Sequence, residues 1–203
     1  MYESLQQMQE ICETDNKAFW ELVMEEEANE KQNSHEEVFE MMRSMYRAMV
    51  QADENYEDRR SASQMTGGAG ELMAKWNRDE KTLSGPFLGQ VMERALKMAE
   101  SNACMKRIVA APTAGSCGVL PAVMITCQKL EKCPEDEIVK ALFVAAGIGQ
   151  IIASRASIAG AQGGCQAEIG SASAMTAGAL VFLRGGSLQQ IYEATALALK
   201  GLL

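Results

Sequence analysis

The chain has 203 residues, of which 47% are apolar, and its 19 basic and 27 acidic side chains give a net charge of −8. This length and apolar content suit a globular protein with one substantial core or two small ones, and they exclude a disordered chain. The negative charge gives no reason to expect a nucleic-acid partner or an anionic membrane surface.

The N-terminal residues have neither the basic start nor the apolar core of a signal peptide. We therefore expect a cytoplasmic protein whose six cysteines are reduced. No two cysteines form a C-x-x-C pair, so a zinc knuckle or a thioredoxin-type site is not expected. The only histidine, His35, lies in an acidic helical stretch.

The first 60 residues predict an N-terminal helical arm. Residues from about 3 to 30 show one apolar helical face, formed by Leu5, Met8, Cys12, Phe19, Leu22 and Val23. Ser34 and Glu37 form a capping box that begins the next helix. That helix carries a methionine stripe, made of Val38, Met41, Met42, Met45 and Met49. We interpret the stripe as the seam of a helical hairpin, with a partner-binding surface as the alternative.

Polar residues 53–60 predict a linker from this arm to a domain that covers 61–203. Residues 65–70 and 81–85 are glycine-containing loops, and the Thr-Gly-Gly sequence in the first of them has anion binding as its alternative interpretation. Pro86 suits the first turn of a helix. The apolar residues of that helix repeat with a 3.6-residue period: Phe87, Leu88, Val91, Met92, Ala95, Leu96 and Ala99.

Two nearly apolar helices are predicted at 138–152 and 172–183. The first is shorter than the roughly 20 residues that span a bilayer, so we interpret it as a core helix. Gly185 and Gly186 end the second helix, and Ser187 caps a last helix that we expect to continue to Leu203. With no alternating strand pattern, the chain is predicted to be all-α. We expect a helical bundle around the two buried apolar helices, with the N-terminal helical arm attached.

Two stretches of small residues carry candidate chemistry. The first, Ala110-Ala-Pro-Thr-Ala-Gly-Ser-Cys-Gly118, is a loop that runs into a helix. The second is Gly163-Gly-Cys-Gln-Ala-Glu-Ile-Gly170. We expect Cys165 to lie on a turn where a helix starts. The positive end of that helix would then stabilise the thiolate form of its side chain. From residue type alone, the alternative is a helix contact with a buried cysteine.

Together these two motifs closely resemble the iron–sulfur-dependent L-serine dehydratases (L-serine ammonia-lyases), specifically their alpha chain, over most of 65–203. The resemblance implies a lyase of amino-acid degradation that converts L-serine to pyruvate, a precursor for gluconeogenesis, and ammonia. It implies a [4Fe–4S] cluster held by three cysteines, with one iron open as a Lewis acid for the serine hydroxyl. Cys165 matches the first ligand. The other two lie in a later Cys-Asp-Pro … Pro-Cys segment, expected beyond residue 203, so this chain alone is expected to be inactive.

The resemblance also implies roles around the substrate. Hydroxyls and backbone amides of the first motif are expected to bind the serine carboxylate, through Thr113, Gly115, Ser116, Cys117 and Gly118. Cys117 is interpreted as a thiol that lines the site rather than as a ligand. Glu168, at i+3 from Cys165, is a tentative catalytic residue that orients the substrate ammonium or supports the cluster, with a solvated helix-start carboxylate as the alternative.

We expect the two motifs to converge in one pocket. Two-chain members of the family pair the alpha chain with a beta chain. Since neither motif has a histidine nearby to act as the base, we expect a beta chain to complete the site. The substrate is expected to be L-serine, with no nucleic-acid or membrane partner, and association into a homo-oligomer is left open.

Two other functions stay open at this point. One is a related lyase that acts on another small amino acid, such as cysteine. The other is a non-catalytic helical module that binds a partner protein through the methionine stripe.

Overall fold

The structure is a computed structural model that describes Tyr2 and the ranges 4–79 and 83–201. Over these residues the chain is helical and contains no strand. The prediction of an all-α fold is confirmed. The helices are α1 (Leu5–Asp15), α2 (Phe19–Lys31), α3 (His35–Glu54), α4 (Ala69–Arg78), α5 (Gly85–Ala103), α6 (Val119–Glu131), α7 (Glu135–Arg155), α8 (Gly160–Leu183) and α9 (Leu188–Lys200), with a short 3-10 turn at Ala114–Ser116.

Contacts group the chain into two compact units. The first comprises Met1–Met45 with Pro134–Leu203, and the second comprises Tyr46–Cys133. This grouping does not follow the boundary expected near residue 60. The boundary near residue 60 is expected to mark where a catalytic domain begins, and this expectation stays a prediction.

The first unit is built around α7, which packs between α2 and α8. Most of its side chains from Ile138 to Ile151 are buried. Gly147 lets α2 approach closely, since an added Cβ would lie 2.6 Å from Val23 Cγ2. By length and composition alone α7 is able to cross a membrane, but 61% of its most apolar window is buried inside the protein. That burial is the arrangement of a core helix.

The N-terminal region contains two helices where the sequence analysis expects one. α1 ends at Asp15 because Asn16 adopts a left-handed conformation with φ of 51°, and the Lys17 amide then donates to the Cys12 carbonyl oxygen at 3.0 Å. Asparagine tolerates this conformation better than most residues. The predicted apolar face is nevertheless largely buried on both helices, at Met8, Cys12, Phe19, Leu22 and Val23.

The predicted helix starts are confirmed at three positions. The Ser34 amide donates to the Glu37 carboxylate at 2.8 Å at the start of α3. Pro86 lies in the first turn of α5. The Gln190 amide donates to the Ser187 hydroxyl at 3.3 Å at the start of α9. α9 ends at Lys200, so the predicted continuation through Leu202 and Leu203 lies outside the described residues, as do residues 81 and 82 of a predicted loop.

The second unit is organised around α5, which contacts α4, α6 and the 3-10 turn. Helix α4 is not among the helices predicted from the sequence. Its N-terminus is capped from a distance by Glu100, a carboxylate that is only 3% exposed. Glu100 accepts from the Ala69 amide at 2.7 Å and from the Tyr56 hydroxyl at 2.7 Å. Burial, together with this carboxylate, raises the pKa of Tyr56 above its usual range.

Candidate functional site

The thiol of Cys165 lies at a helix start, as predicted from the glycines before it. α8 is interrupted at Gly164, whose φ of 69° and ψ of −167° are not helical. This region of backbone space is open essentially to glycine alone. One helical turn therefore precedes the break, and Cys165 begins the long helical segment that follows. The thiol is free and exposed.

Glu168 lies one turn after Cys165 and is half-buried. Its carboxylate lies against Gly160, because a Cβ added to Gly160 would lie 2.8 Å from Glu168 Oε2. In the same way, a Cβ added to Gly163 would lie 2.6 Å from the Cβ of Ala167. The glycines of the short turn thus leave room for side chains of the segment that carries Cys165. Residues at i and i+3 lie on one side of a helix, so Cys165 and Glu168 share a face.

The turn from Pro112 to Gly118 is closed by its own hydrogen bonds. The Ser116 hydroxyl donates to the Ala111 carbonyl oxygen at 3.2 Å and accepts from the Thr113 amide at 3.4 Å. Thr113 Oγ1 lies 3.2 Å from the same hydroxyl oxygen. Ser116 is only 1% exposed. The hydroxyl of Ser116 therefore holds the turn together, while Thr113 is half-buried and Gly115 is exposed.

Cys117 and Gly118 pack this turn against α5. The Cys117 thiol is 2% exposed and donates to the Met98 carbonyl oxygen at 3.9 Å. Burial raises the pKa of Cys117 to about 11. A Cβ added to Gly118 would lie 2.7 Å from the Ala95 carbonyl oxygen, so only glycine allows this approach of the two backbones.

A further contact to the turn was missed by sequence reasoning. The side-chain amide of Asn102 donates to the Ala114 carbonyl oxygen at 2.9 Å and so ties the turn to the end of α5. No local sequence signal marks Asn102, because it lies in a helix that is predicted from the spacing of its apolar residues. Only the tertiary approach of α5 to the turn brings the two groups together.

Cys165 and Glu168 belong to the first unit, and the Pro112–Gly118 turn belongs to the second. Their convergence in one pocket stays a prediction, and so do the functional roles of all seven candidate residues. Within the described ranges, no three His, Cys, Asp or Glu side chains are grouped so as to hold a metal ion. The second unit has a cavity of about 510 Å³ beside Tyr56 and Lys106, and its lining includes none of the candidate residues.

Comparison with known proteins gives a consistent result. The family model described as "Serine dehydratase alpha chain" matches residues 14–203. The chain is 34% identical over its whole length to the probable L-serine dehydratase alpha chain of Bacillus subtilis, of which it covers 68%. It is 33% identical over 98% of its length to the L-serine dehydratase alpha chain of Peptoniphilus asaccharolyticus, of which it covers 69%. About half of it, 52%, is also 42% identical to L-serine dehydratase TdcG of Escherichia coli, and that match covers 24% of the longer protein.

Proposed function

Because this chain belongs to the serine dehydratase alpha chain family, we propose that it is the alpha chain of an enzyme that converts L-serine to pyruvate and ammonia. The observation that carries the proposal at the level of residues is the exposed Cys165 thiol at the start of a helix, with Glu168 on the same face. We also propose that the enzyme is cytoplasmic and acts together with a beta chain.

We propose that Cys165 is one cysteine ligand of a [4Fe–4S] cluster. Its donor chemistry fits, since thiolate sulfur is the usual ligand of such clusters. The space also fits: the thiol is exposed, and a Cβ added to the preceding Gly164 would meet no atom within 4 Å. A cluster takes three cysteines on this proposal, and we assign the remaining ligands to residues beyond 203. When bound, the cluster supplies a Lewis acid that makes the serine hydroxyl a better leaving group.

The residues of this chain then bind and orient the substrate. On this proposal, the half-buried Thr113 hydroxyl and the exposed backbone at Gly115 bind the serine carboxylate, while Ser116, Cys117 and Gly118 give the turn its shape. Glu168, whose carboxylate lies against Gly160, orients the substrate ammonium. We assign the group that removes the Cα proton to the beta chain, because the only histidine here, His35, lies outside both motifs.

The test is anaerobic reconstitution of the complete alpha chain with its beta chain, followed by absorption spectroscopy and a pyruvate assay. Cys165→Ser is expected to lose both the cluster absorption and the activity. Cys104→Ser is the matched control, because Cys104 is a partly exposed thiol that donates to the Arg59 carbonyl oxygen in the second unit. It is expected to keep both. A Cys165→Ser enzyme that stays brown and active would contradict the assignment.

The same preparation tests the substrate and the role of Glu168. Serine and cysteine are supplied in parallel, and pyruvate formation from serine is expected to be much faster. Glu168→Gln is expected to keep the cluster absorption and to raise KM, since a neutral amide attracts the substrate ammonium less strongly. A Glu168→Gln enzyme with unchanged KM and kcat would show that this carboxylate is only a solvated helix-start residue.

A further inference from the structure

The cavity beside Tyr56 and Lys106 has no role in the proposed function. Its volume of about 510 Å³ falls in the range of small-molecule sites. Two segments line it, namely the end of α3 with the residues directly after it, and Lys106 with Arg107, which follow α5. Every lining residue belongs to the second unit, so the cavity is a feature of one compact body.

The α3 side of the cavity combines small and amide side chains. Ala48, Gln51 and Asn55 are spaced by three and four positions, which places them on one side of a helix. The Asn55 backbone amide donates to the Gln51 carbonyl oxygen at 2.9 Å, so Asn55 continues this face just past the end of α3. The side-chain amides of Gln51 and Asn55 can both donate and accept hydrogen bonds. This side can therefore hydrogen-bond to either kind of polar group.

Tyr56 is a fixed part of the lining. Its hydroxyl donates to the buried Glu100 carboxylate at 2.7 Å. The Lys97 ammonium lies 5.3 Å from the centre of its ring, within the range of a cation–π contact. Because the ring is held at its hydroxyl and at one face, this boundary of the cavity is preformed.

The charged side chains of the lining leave one positive charge without a partner. Lys106 Nζ lies 2.5 Å from Glu57 Oε1, so these two charges form an ion pair. The same hydrogen bond holds the pKa of Glu57 below its usual value, which keeps its carboxylate ionised at neutral pH. Arg107 is exposed and has no ion-pair partner among the residues that the structure describes. The unbalanced charge of the lining is therefore a guanidinium.

We propose that this cavity is a second binding site, which holds a small monocarboxylic acid through the Arg107 guanidinium. The planar fork of N–H groups on arginine matches the two oxygens of a carboxylate. One unbalanced positive charge in a chain of net charge −8 suits a monoanion better than a dianion such as a phosphate ester. The amides of Gln51 and Asn55 then hydrogen-bond to the hydroxyl, oxo or ammonium group of the acid. The second oxygen of Glu57 is an additional acceptor for an ammonium.

A covering segment of polypeptide fits the cavity less well than a small acid. Such a segment would remove the charges of Glu57, Lys106 and Arg107 from water, and a buried charge without a partner is costly. A small acid supplies the missing negative charge and leaves these side chains partly in water. The site is also separate from the proposed substrate turn, because no residue of Pro112–Gly118 lines it. L-Serine and pyruvate, an amino acid and an oxo acid, both belong to the class of ligand that we propose.

The experiment adds pyruvate or L-serine to the complete alpha chain without iron and measures the dissociation constants by isothermal titration calorimetry. Arg107→Ala is expected to weaken binding by at least about tenfold, because charge-assisted hydrogen bonds to the carboxylate are lost. Since Arg107 is exposed, the variant is expected to fold, and circular dichroism with thermal unfolding checks this. Arg78→Ala is the matched control, because Arg78 is an exposed arginine of the same unit that donates to Glu71 at 2.7 Å outside the cavity. It is expected to bind as the unmodified chain does.

Two further measurements locate the ligand. Ala48→Leu fills part of the cavity without changing its charges, and it is expected to weaken binding as well. In NMR spectra of the chain with isotope-labelled arginine, the Arg107 signal is the one that Arg107→Ala lacks. This signal is expected to shift until binding saturates, while the Arg78 signal stays in place.

The two acids identify the kind of ligand. Tighter binding of L-serine assigns an amino acid whose ammonium contacts Glu57, and binding of pyruvate that is as tight or tighter assigns an oxo acid. Three results would overturn the proposal. The complete alpha chain binds neither acid, as when the rest of the chain fills the cavity; Arg107→Ala leaves binding unchanged, which would put the acids elsewhere; or inorganic phosphate binds at Arg107 while both acids fail. Because the iron-free chain is used, binding does not depend on the proposed reaction, and an assembled enzyme that makes no pyruvate would leave this result intact.

Discussion

The Cys165 helix start and the Pro112–Gly118 turn are built from the same kinds of residue. The reactive side chain is exposed in the first and buried in the second. Gly164 breaks the first helix turn and leaves the Cys165 thiol exposed. In the turn, Ser116 and Cys117 are 1% and 2% exposed and donate to backbone carbonyl oxygens. Small residues therefore allow a neighbouring reactive side chain to be either exposed or buried. The backbone angles of one glycine and the local hydrogen bonds decide which of the two occurs.

The largest expected effect separates the two cysteines. Cys165→Ala in the complete enzyme is expected to abolish the cluster and the activity, while the iron-free chain keeps nearly its full thermal stability, because an exposed thiol packs against little. Cys117→Ala is expected to keep the cluster absorption and to lower the free energy of unfolding by about 1–2 kcal/mol, since it removes a buried side chain. Absorption spectroscopy, a pyruvate assay and urea unfolding measure the two effects.

This comparison fails if the phenotypes are exchanged. A Cys117→Ala enzyme with full stability but no cluster would make the buried thiol the ligand, and the exposed thiol would then lack a role. Cys104→Ala provides the reference for an unrelated, partly exposed cysteine.

The second prediction concerns thiol reactivity of the isolated chain without iron. Cys165 is expected to react with iodoacetamide at least about tenfold faster than Cys117. The Cys117 thiol reacts only after local unfolding exposes it, and its pKa is raised to about 11. Cys12 and Cys127, which are also buried, are expected to be protected in the same way. Peptide mapping by mass spectrometry gives the rates, and equal labelling of all the cysteines in urea is the control. Labelling of Cys117 at the rate of Cys165 in the native chain would contradict the closed turn.

Local signals predicted much of this fold because they act within one helical turn. The capping box of Ser34 with Glu37, Pro86 in the first turn of α5 and the Ser187 cap each mark a helix start that the structure contains. The helix start at Cys165 belongs to the same class, since a glycine directly before it provides the break. The buried core helix α7 was also predicted, because the residues from 138 to 152 are nearly all apolar.

The missed features depend on contacts that are distant in sequence or on a break that leaves the pattern intact. The apolar residues of α1 and α2 keep one helical period across Asn16, so this period does not reveal the turn between the two helices. Glu100 has no sequence signal of burial, since charged residues mostly lie on the surface. It is nevertheless 3% exposed, and it accepts from the amide of Ala69, 31 positions away. The apolar period of α5 showed that the helix has an apolar face, and it could not show that half of this face points outward.

The third prediction uses one glycine from each region. Gly164→Ala is expected to cost about 1–3 kcal/mol because φ of 69° with ψ of −167° is strained for alanine, although space is free around it. Gly118→Ala is expected to cost about 1–3 kcal/mol for a different reason, since the new Cβ would press on the Ala95 carbonyl oxygen. Urea unfolding measures both costs.

Gly201→Ala is the matched control, because the added Cβ would meet nothing closer than 3.4 Å and the backbone φ there is −64°. It is expected to change the free energy of unfolding by no more than about 1 kcal/mol, in the stabilising direction. If Gly164→Ala were as stable as this control, the break before Cys165 would not depend on glycine.

The smallest expected effect is the dependence of stability on pH. Burial raises the pKa of Cys117 to about 11 in the folded chain, whereas an unfolded thiol titrates near about 8.5. Below the unfolded pKa the thiol is protonated in both states, so its contribution is fully present. As the pH rises from about 8.5 to about 11, the unfolded chain loses this proton while the folded chain keeps it, and the free energy of unfolding falls. Half-buried Tyr192 also has a pKa raised by burial and adds to the decline. The decisive quantity is therefore the difference between variants: Cys117→Ala is expected to lose less stability between about pH 8 and about pH 10.5 than the unmodified chain. Urea unfolding under reducing conditions at both pH values measures this difference, and a Cys117→Ala chain that loses as much stability as the unmodified chain would mean that the Cys117 thiol is not buried in the turn.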